Sequence, residues 1–542
     1  MAEYDAILIG SGVNSLACGA LLAREGWRVC VLERNDWFGG AIKTAELTEP
    51  GFTHDVFSAW HPLWVGGAAH AALGDDLAAR GLEYLNTDLP TATAFPDGEA
   101  AFLLRDAEGN AREIGPEWPD VLARFLPNAD LAFGVLGTEL WSSSGLSFAA
   151  KAMRRLGRVG VADFTGAVLQ TSRAWLRESF ASERAHGLLA PWVLHTGLGP
   201  DAATSGFMTQ VIAVAVQDGG MPIPRGGGAK LADALVQLIR DNGGTCETGV
   251  DVERVVVQSG RATGVLTSAG DPVTAERAVI ANVTPTQLYE RLLGESDVPA
   301  PVREGARRFR YGRAEMQIHF ALSQPARWTG DERLNRTAVV HVTPGLDGVS
   351  RAVNEAERGL LPAEATIVVG QPLTIDPSRA PEGQGILWIQ LQELPWHVRG
   401  DAAGDLDVGE GIWSERLRER YANRIQARLA RHIPNLESSL LDRVVLSPAD
   451  LERQNVNLRH GDPYGGALSL DQNFLWRPFP RSPGHGTPVE RLWHIGASTW
   501  PGPGLGAGSG TLVARQLLKP PASQRALAKI RAARGQTPPR GV

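Results

Sequence analysis

Ala6-Ile-Leu-Ile-Gly-Ser-Gly-Val-Asn-Ser15 decides the architecture. Ala6–Ile9 is continuously apolar, as expected of a strand buried on both faces of a parallel sheet. It stops at a Gly-x-Gly bend, and Leu16–Glu25 follows with apolar residues three and four apart, the period of a helix. Gly26 ends that helix, and Trp27–Leu32 reads as a second strand ending at Glu33. A strand, glycine loop, helix and strand within about 30 residues form a dinucleotide-binding unit. Gly10 permits the tight turn, and Gly12 lets a pyrophosphate approach the backbone. Val13, Asn14 and Ser15 lead from the bend into the helix, whose free N–H groups and partial positive charge face the phosphates. Ser15 stands where the pattern has its third glycine and is small enough for helix–strand packing. Glu33 lies where an acidic side chain accepts the ribose hydroxyls, about 20 residues on. A plain tight turn in an unrelated α/β protein would leave Glu33 unexplained.

Outward from this unit, the composition narrows the class. The chain has 542 residues, 43% hydrophobic and 21% charged, which is too long for one compact core and too apolar for disorder. Lys and Arg number 53 against 60 Asp and Glu, for a net charge of -7, so the basic excess of a nucleic-acid binder is absent. Cys18, Cys30 and Cys246 have neither disulfide-framework nor metal-ligand spacing, so no metal site is expected and a reducing, cytoplasmic setting is. The longest apolar stretch, near Phe207–Val216, is interrupted by Thr209 and Gln210 and is far short of the roughly 18–20 residues of a membrane span. The first residues lack a basic signal-peptide region.

Three further stretches specify the nucleotide. After Glu33-Arg34 comes Gly39-Gly40-Ala41, with Thr44 beyond. Twin glycines let the chain pass close to a cofactor, and the Thr hydroxyl can donate to it. Next, Gly219–Gly228 feeds the amphipathic run Ala229–Asn242; the β-rich Val250–Val257, a hairpin through Leu266, and the buried strand Ala278–Asn282 follow. Finally, Leu492–Ala497 reads as a strand, followed by a loop containing Gly502, Gly504, Gly506, Gly508 and Gly510, and a helix Thr511–Leu518. Glutamate, twin glycine and Thr in this order, with the other two stretches, resemble the flavoproteins of the amine oxidase and phytoene desaturase superfamily. Gly461–Gln472 and Ile375–Trp388 are more similar to its phytoene desaturase and carotenoid ketolase-like branch.

The resemblance implies a dissociable, non-covalent FAD held by Gly10, Gly12, Val13, Asn14, Ser15, Glu33, Arg34, Gly39, Gly40, Ala41, Thr44, Val252, Asn282, Gly496, Ala497, Gly504, Gly508 and Gly510. Val252 would hold the adenine by its backbone, and Gly496-Ala497 would meet the ribityl phosphate. Where the family has Thr-His-Pro-Gly this chain has Thr499-Trp500-Pro501-Gly502, so no histidine role carries over and Trp500 is expected near the flavin ring. His54, Asp55 and His61 follow the twin-glycine loop, and Arg477 lies in a family-like segment. These five are the catalytic candidates.

The expected fold is α/β: a Rossmann-like FAD-binding domain of glutathione reductase-like topology, interleaved with a substrate domain of mixed antiparallel sheet plus helices. The FAD parts are 1–69, 215–299 and 455–520; the substrate parts are 70–214 and 300–454, with residues 116–200 mostly helical; 521–542 is expected to fray. The expected activity is hydride transfer between a hydrophobic, polyene or isoprenoid-like small molecule and flavin N5, most simply as a dehydrogenase or desaturase, with oxygen or a quinone as acceptor. An amine oxidase-like enzyme, a flavin-dependent isomerase or saturase, and an FAD-stabilised non-catalytic interaction protein are the alternatives. The basic segment Lys151–Arg158 reads either as a solvated helix face or as a peripheral membrane contact. The oligomeric state is open.

Overall fold

The computed structural model describes residues 3–519, and the expectation for 521–542 lies outside them. Five parallel strands run in the order Leu492–Ile495, Pro272–Asn282, Glu3–Ile9, Val29–Leu32, Thr245–Glu247. Their apolar runs alternate between two buried faces. Leu8, Val29, Val31 and Ile280 pack with the helices Val13–Arg24, Ala229–Asp241 and Gly508–Leu517. Ile7, Ile9, Cys30 and Val279 enter a second core with Leu288, Tyr289 and Leu292. An antiparallel meander, Val252–Gln258 and Arg261–Thr267, joins the first half of Pro272–Asn282. The register sets Ile9 opposite Leu32 and Ala281, and Asn282 opposite Ile495. Three strands far apart in sequence therefore end side by side, and ligands of open α/β sheets bind outside such carboxyl ends.

A second sheet has seven strands, in the order Leu440–Leu446, Ala314–Leu322, Gly385–Leu394, Ile367–Gly370, Val339–Val342, Thr91–Ala94, Ala100–Leu103. Neighbours are antiparallel except Val339–Val342 and Thr91–Ala94, which run parallel. Leu417, Tyr421, Ile425 and Leu429 of the helix Glu415–Leu429 cover one face. The strands at 91–94, 100–103 and 440–446 are additions to the sequence reading. Residues 116–200 are mostly helical, as expected. Within them, Ser143–Leu169 is helical on either side of a break at Gly157 (φ +66°) and buries none of its residues, and Leu146, Met153, Val159 and Leu169 are exposed along it. No helix among the described residues is long and apolar enough to cross a membrane.

Candidate active site

A cleft enclosing about 1150 Å³, including its open mouth, lies at the strand ends. The first bend supplies Gly10, Gly12, Val13 and Asn14, the second strand's end Glu33 and Arg34, and the twin-glycine loop Gly39, Gly40 and Ala41. Val252 and Asn282 come from the second stretch, and Ala497 and Gly504 from the third. Gly39 has φ +112°, and a Cβ there would lie 2.4 Å from the Ile42 carbonyl oxygen, so only glycine fits. The helix Val13–Arg24 starts without a side-chain cap or an acidic residue in its first turn. Its N–H groups and positive dipole end are left for an anion. Glu33 Oε2 accepts from the Ser11 N–H (2.9 Å) and hydroxyl (2.8 Å), and Oε1 accepts from the Asn35 N–H (2.9 Å). Those bonds fix the carboxylate while leaving lone pairs for ribose hydroxyls.

Five expected cofactor contacts do not border the cleft. Ser15 is fully buried in the helix. Thr44 donates its hydroxyl to Asp55 (2.8 Å) and accepts from the Ala229 N–H (3.0 Å). Gly496, Gly508 and Gly510 serve close packing. A Cβ on Gly496 would fall 2.3 Å from Asn282 Oδ1, one on Gly508 2.7 Å from Pro501, and one on Gly510 2.0 Å from the Asn14 carbonyl oxygen. The Gly226–Gly228 loop is also away from the cleft. Gly226 N–H donates to Asp376 and Gly228 N–H to Asp55, both at 2.7 Å. Sequence reasoning missed Ser11, Asn35, Thr284, Gln287, Arg291 and Asn457, which do border the cleft or its supporting network. Ser11 and Asn35 lie inside the glycine bend and beside Glu33, where the motif signals only their neighbours; the segments of Thr284, Gln287, Arg291 and Asn457 carry no local motif.

The catalytic candidates sit outside both this cleft and the chamber described below. Asp55 forms a buried ion pair with Arg379 (2.8 Å), which also holds Asp376 (2.9 Å) and the Pro224 carbonyl (3.0 Å). This cluster ties the Thr44–Asp55 hairpin to the Gly226 loop. His54 bonds Thr48 (2.8 Å) and His61 bonds Tyr84 (2.9 Å); burial pushes each imidazole down to about 4. Arg477, fully buried, donates to the carbonyls of Ala497 (2.5 Å) and Tyr464 (3.0 Å), which makes it a positioning residue for two segments that do line the cavities. Trp500 is turned away from the cleft: its indole N–H donates to the Thr138 carbonyl (3.0 Å) and its ring lies 5.3 Å from that of Phe474.

A second cavity, about 1310 Å³ including its open mouth, adjoins the cleft and shares Ala41, Leu458, Pro463, Gly504 and Leu505 with it. Its wall is the cavity-facing side of the seven-stranded sheet, from which Glu315, Gln317, Val339, Val368, Trp388, Gln390 and Gln392 project. Phe57, Trp60, Trp192, Ile212, Val216 and Met221 supply apolar surface. Gln390 Nε2 donates to both Glu315 oxygens at 2.9 Å, and Tyr464 lies 3.2 Å from Glu315. Burial pushes the Glu315 carboxyl up to about 8. The Tyr464 hydroxyl has the Leu194 carbonyl (2.8 Å) and Glu315 Oε1 (3.2 Å) as acceptors, and it accepts from the Gln392 amide (2.8 Å). Burial also lowers His195 to about 4 and raises Tyr464 well above its ordinary value. The ionisable side chains of the lining, Glu315, His195 and Tyr464, are therefore all uncharged at neutral pH.

A parallel-sheet cleft with glycine bends at its strand ends and a second cavity beside it defines a dinucleotide-binding protein with an adjoining ligand chamber. The pattern of the flavin containing amine oxidoreductases matches residues 16–408, and the chain belongs to that family. It is similar to a rat protein described as pyridine nucleotide-disulfide oxidoreductase domain-containing protein 2 (24% identity, covering 94% of this chain and 92% of that one). It is also similar to the zeta-carotene-forming phytoene desaturase of Myxococcus xanthus (27%, 92% and 90%). Among solved structures, cyclohexylamine oxidase from Brevibacterium oxydans shares the fold, with a TM-score of 0.56 at 17% identity over 96% of this chain and 100% of that one. The cleft fits FAD: a left-handed glycine where the chain passes closest, an uncapped helix start for the diphosphate, and a fixed carboxylate for a ribose.

Proposed function

We propose that this chain dehydrogenates a largely apolar, uncharged small molecule of polyene or isoprenoid type held in the chamber, with oxygen or a quinone as final acceptor. The observation that carries this reading is the uncharged, aromatic-lined chamber opening beside the cofactor cleft through shared wall residues. Bound FAD supplies a two-electron acceptor for a hydride. The protein's part is to hold a C–H bond within about 3–3.5 Å and to exclude water. In such a dehydrogenation two hydrogens would leave adjacent carbons, one as the hydride that bound FAD would accept and one as a proton released to solvent, leaving a double bond. An ammonium substrate is disfavoured, because no lining group is a fixed anion to offset its desolvation. Segments 1–69, 215–299 and 455–520 serve FAD in this reading, and 70–214 with 300–454 serve the substrate. The exposed apolar residues of Ser143–Leu169, beside Lys151 and Arg154, support a peripheral contact with a membrane from which such a substrate is drawn.

Holoprotein mixed anaerobically with a panel of isoprenoids, polyenes and alkylamines tests this. Loss of the oxidised-flavin absorption band with an uncharged apolar compound is expected. Bleaching by amines alone overturns the reading.

A further inference from the structure

The chamber wall is polar where a hydrocarbon pocket would be apolar. Along Ala314–Leu322, Met316, Ile318 and Phe320 enter the core under the helix Glu415–Leu429, while Glu315 and Gln317 border the chamber. Along Gly385–Leu394 the same alternation sends Leu387, Ile389 and Leu391 to that core and Gln390 and Gln392 to the chamber. Gln317 pairs with Gln390, so Gln317 and Gln392 are diagonal cross-strand neighbours on one face. Both are 2% exposed. Gln390 is used by Glu315, and the amide nitrogen of Gln392 by Tyr464. The amide oxygens of Gln317 and Gln392 have no partner, and neither do the indole N–H groups of Trp60 and Trp192 on the same cavity. Buried polar atoms without partners are destabilising and call for an explanation. A purely hydrocarbon guest would leave all four unmatched. A cation would meet no opposite charge. A hydroxyl offers one donor for an amide oxygen and an oxygen for an indole N–H.

We propose that the chamber binds an apolar molecule bearing a hydroxyl group, with the paired amide oxygens of Gln317 and Gln392 as the shared acceptor of its single proton and the indole N–H groups of Trp60 and Trp192 as donors to its two lone pairs. The inference rests on the chamber being the substrate site and narrows its substrate to apolar alcohols. A site built to hydrogen-bond a hydroxyl rejects the analogue lacking it strongly, because the protein groups are then left unpaired.

The test uses the FAD-loaded full chain and three probes of one skeleton: geranylgeraniol, its methyl ether and the parent hydrocarbon. Dissociation constants are read from perturbation of the flavin absorption band. The alcohol is expected to bind at least about tenfold more tightly than the other two, and Gln317→Leu and Gln392→Leu should each shrink that preference while leaving hydrocarbon binding equal or tighter. If the three probes bind wild-type protein equally, water satisfies the glutamines and the inference falls, while the apolar-substrate reading stands. If the preference survives both substitutions, the assigned residues are wrong. If no probe perturbs the flavin, both the inference and the substrate reading fall. The wild-type comparison needs no variant, so a substitution that unfolds the protein does not rescue the claim.

Discussion

The cofactor cleft is framed by glycine bends, a helix start and strand ends, with Glu33 as a fixed carboxylate. In the chamber beside it the walls are side chains, delivered by strands near 315, 339, 368 and 390 and by segments near 60, 192 and 464. A backbone-built site leaves its mark in short consecutive stretches, because turns and caps need particular residues at particular offsets. A side-chain-built site is assembled only by strand pairing and register, and no local offset encodes it. The two regions should therefore fail differently when altered: cleft changes should cost FAD, chamber changes should cost ligand selection.

The largest effect is expected at Gly39→Ala. Its backbone angle costs about 1–3 kcal/mol for a residue with a Cβ, and that Cβ would press on the Ile42 carbonyl at 2.4 Å. Purified protein should carry little FAD, measured as the flavin-to-protein absorbance ratio. Full FAD content in this variant would contradict a backbone-built cleft.

Glu33→Ala should come next. It removes the acceptor for the Ser11 and Asn35 N–H groups as well as the ribose partner. FAD affinity, followed by flavin fluorescence titration, should fall by about one to two orders of magnitude. Chamber preference for uncharged ligands, measured at saturating FAD, should be unchanged. A coupled loss of both would blur the separation between the regions.

These two positions also show what the sequence discloses. Gly10, Gly12, Glu33, Gly39 and Gly40 are legible because each answers a local requirement, and all five border the cleft. Gly510 satisfies the same kind of local pattern, yet it packs on Asn14. A glycine needed for close helix contact and one needed for a ligand look alike in sequence. The parallel-strand unit is readable from its apolar runs, and so are the strands at 315–322 and 386–392. What their polar residues do is not. Glu315, Gln317, Gln390 and Gln392 alternate with apolar neighbours, a pattern that ordinarily marks a solvent-facing side. Here that side is roofed by the segments carrying Trp60, Trp192 and Tyr464, so Glu315, Gln317 and Gln392 are buried and Gln390 half-buried. Conversely, His54, Asp55 and His61 stand out as polar residues after a glycine loop, and tertiary packing consigns Asp55 to an ion pair with Arg379, 324 positions away.

The chamber's neutrality sharpens the comparison through pH. Buried Glu315, pushed up to about 8, and Glu393, pushed up to about 7, hold more protons folded than unfolded above the ordinary 4.5. Their contribution is fully present below that value and is lost as pH rises through the folded values. His54, His61 and His195, each lowered to about 4 from 6.5, act oppositely: their contribution is present above 6.5 and lost as pH falls toward 4. Above pH 6.5 only the carboxyls of this set still titrate. The urea midpoint should therefore decline between about pH 6.5 and 8.5, and Glu315→Gln should flatten the upper part of that decline while leaving FAD content near wild type. An unchanged slope would mean that Glu315 is ionised in the folded protein, and the chamber would then hold a fixed anion suited to an amine.

The smallest effect is expected at Trp500→Phe, where the sequence reading and the structure part company. A tryptophan stacked on the isoalloxazine would alter the flavin absorption band when its indole is shortened to a benzyl ring. In the structure Trp500 instead anchors the 138 region to the loop before Gly502, because its N–H satisfies the Thr138 carbonyl and its ring packs on Phe474. Phenylalanine keeps most of the packing and loses the hydrogen bond to a half-buried carbonyl, at a cost of about 0.5–1.5 kcal/mol. The denaturation midpoint should drop slightly with the flavin spectrum and FAD affinity unmoved. A shifted flavin band with unchanged stability would return Trp500 to the cofactor's side of the comparison.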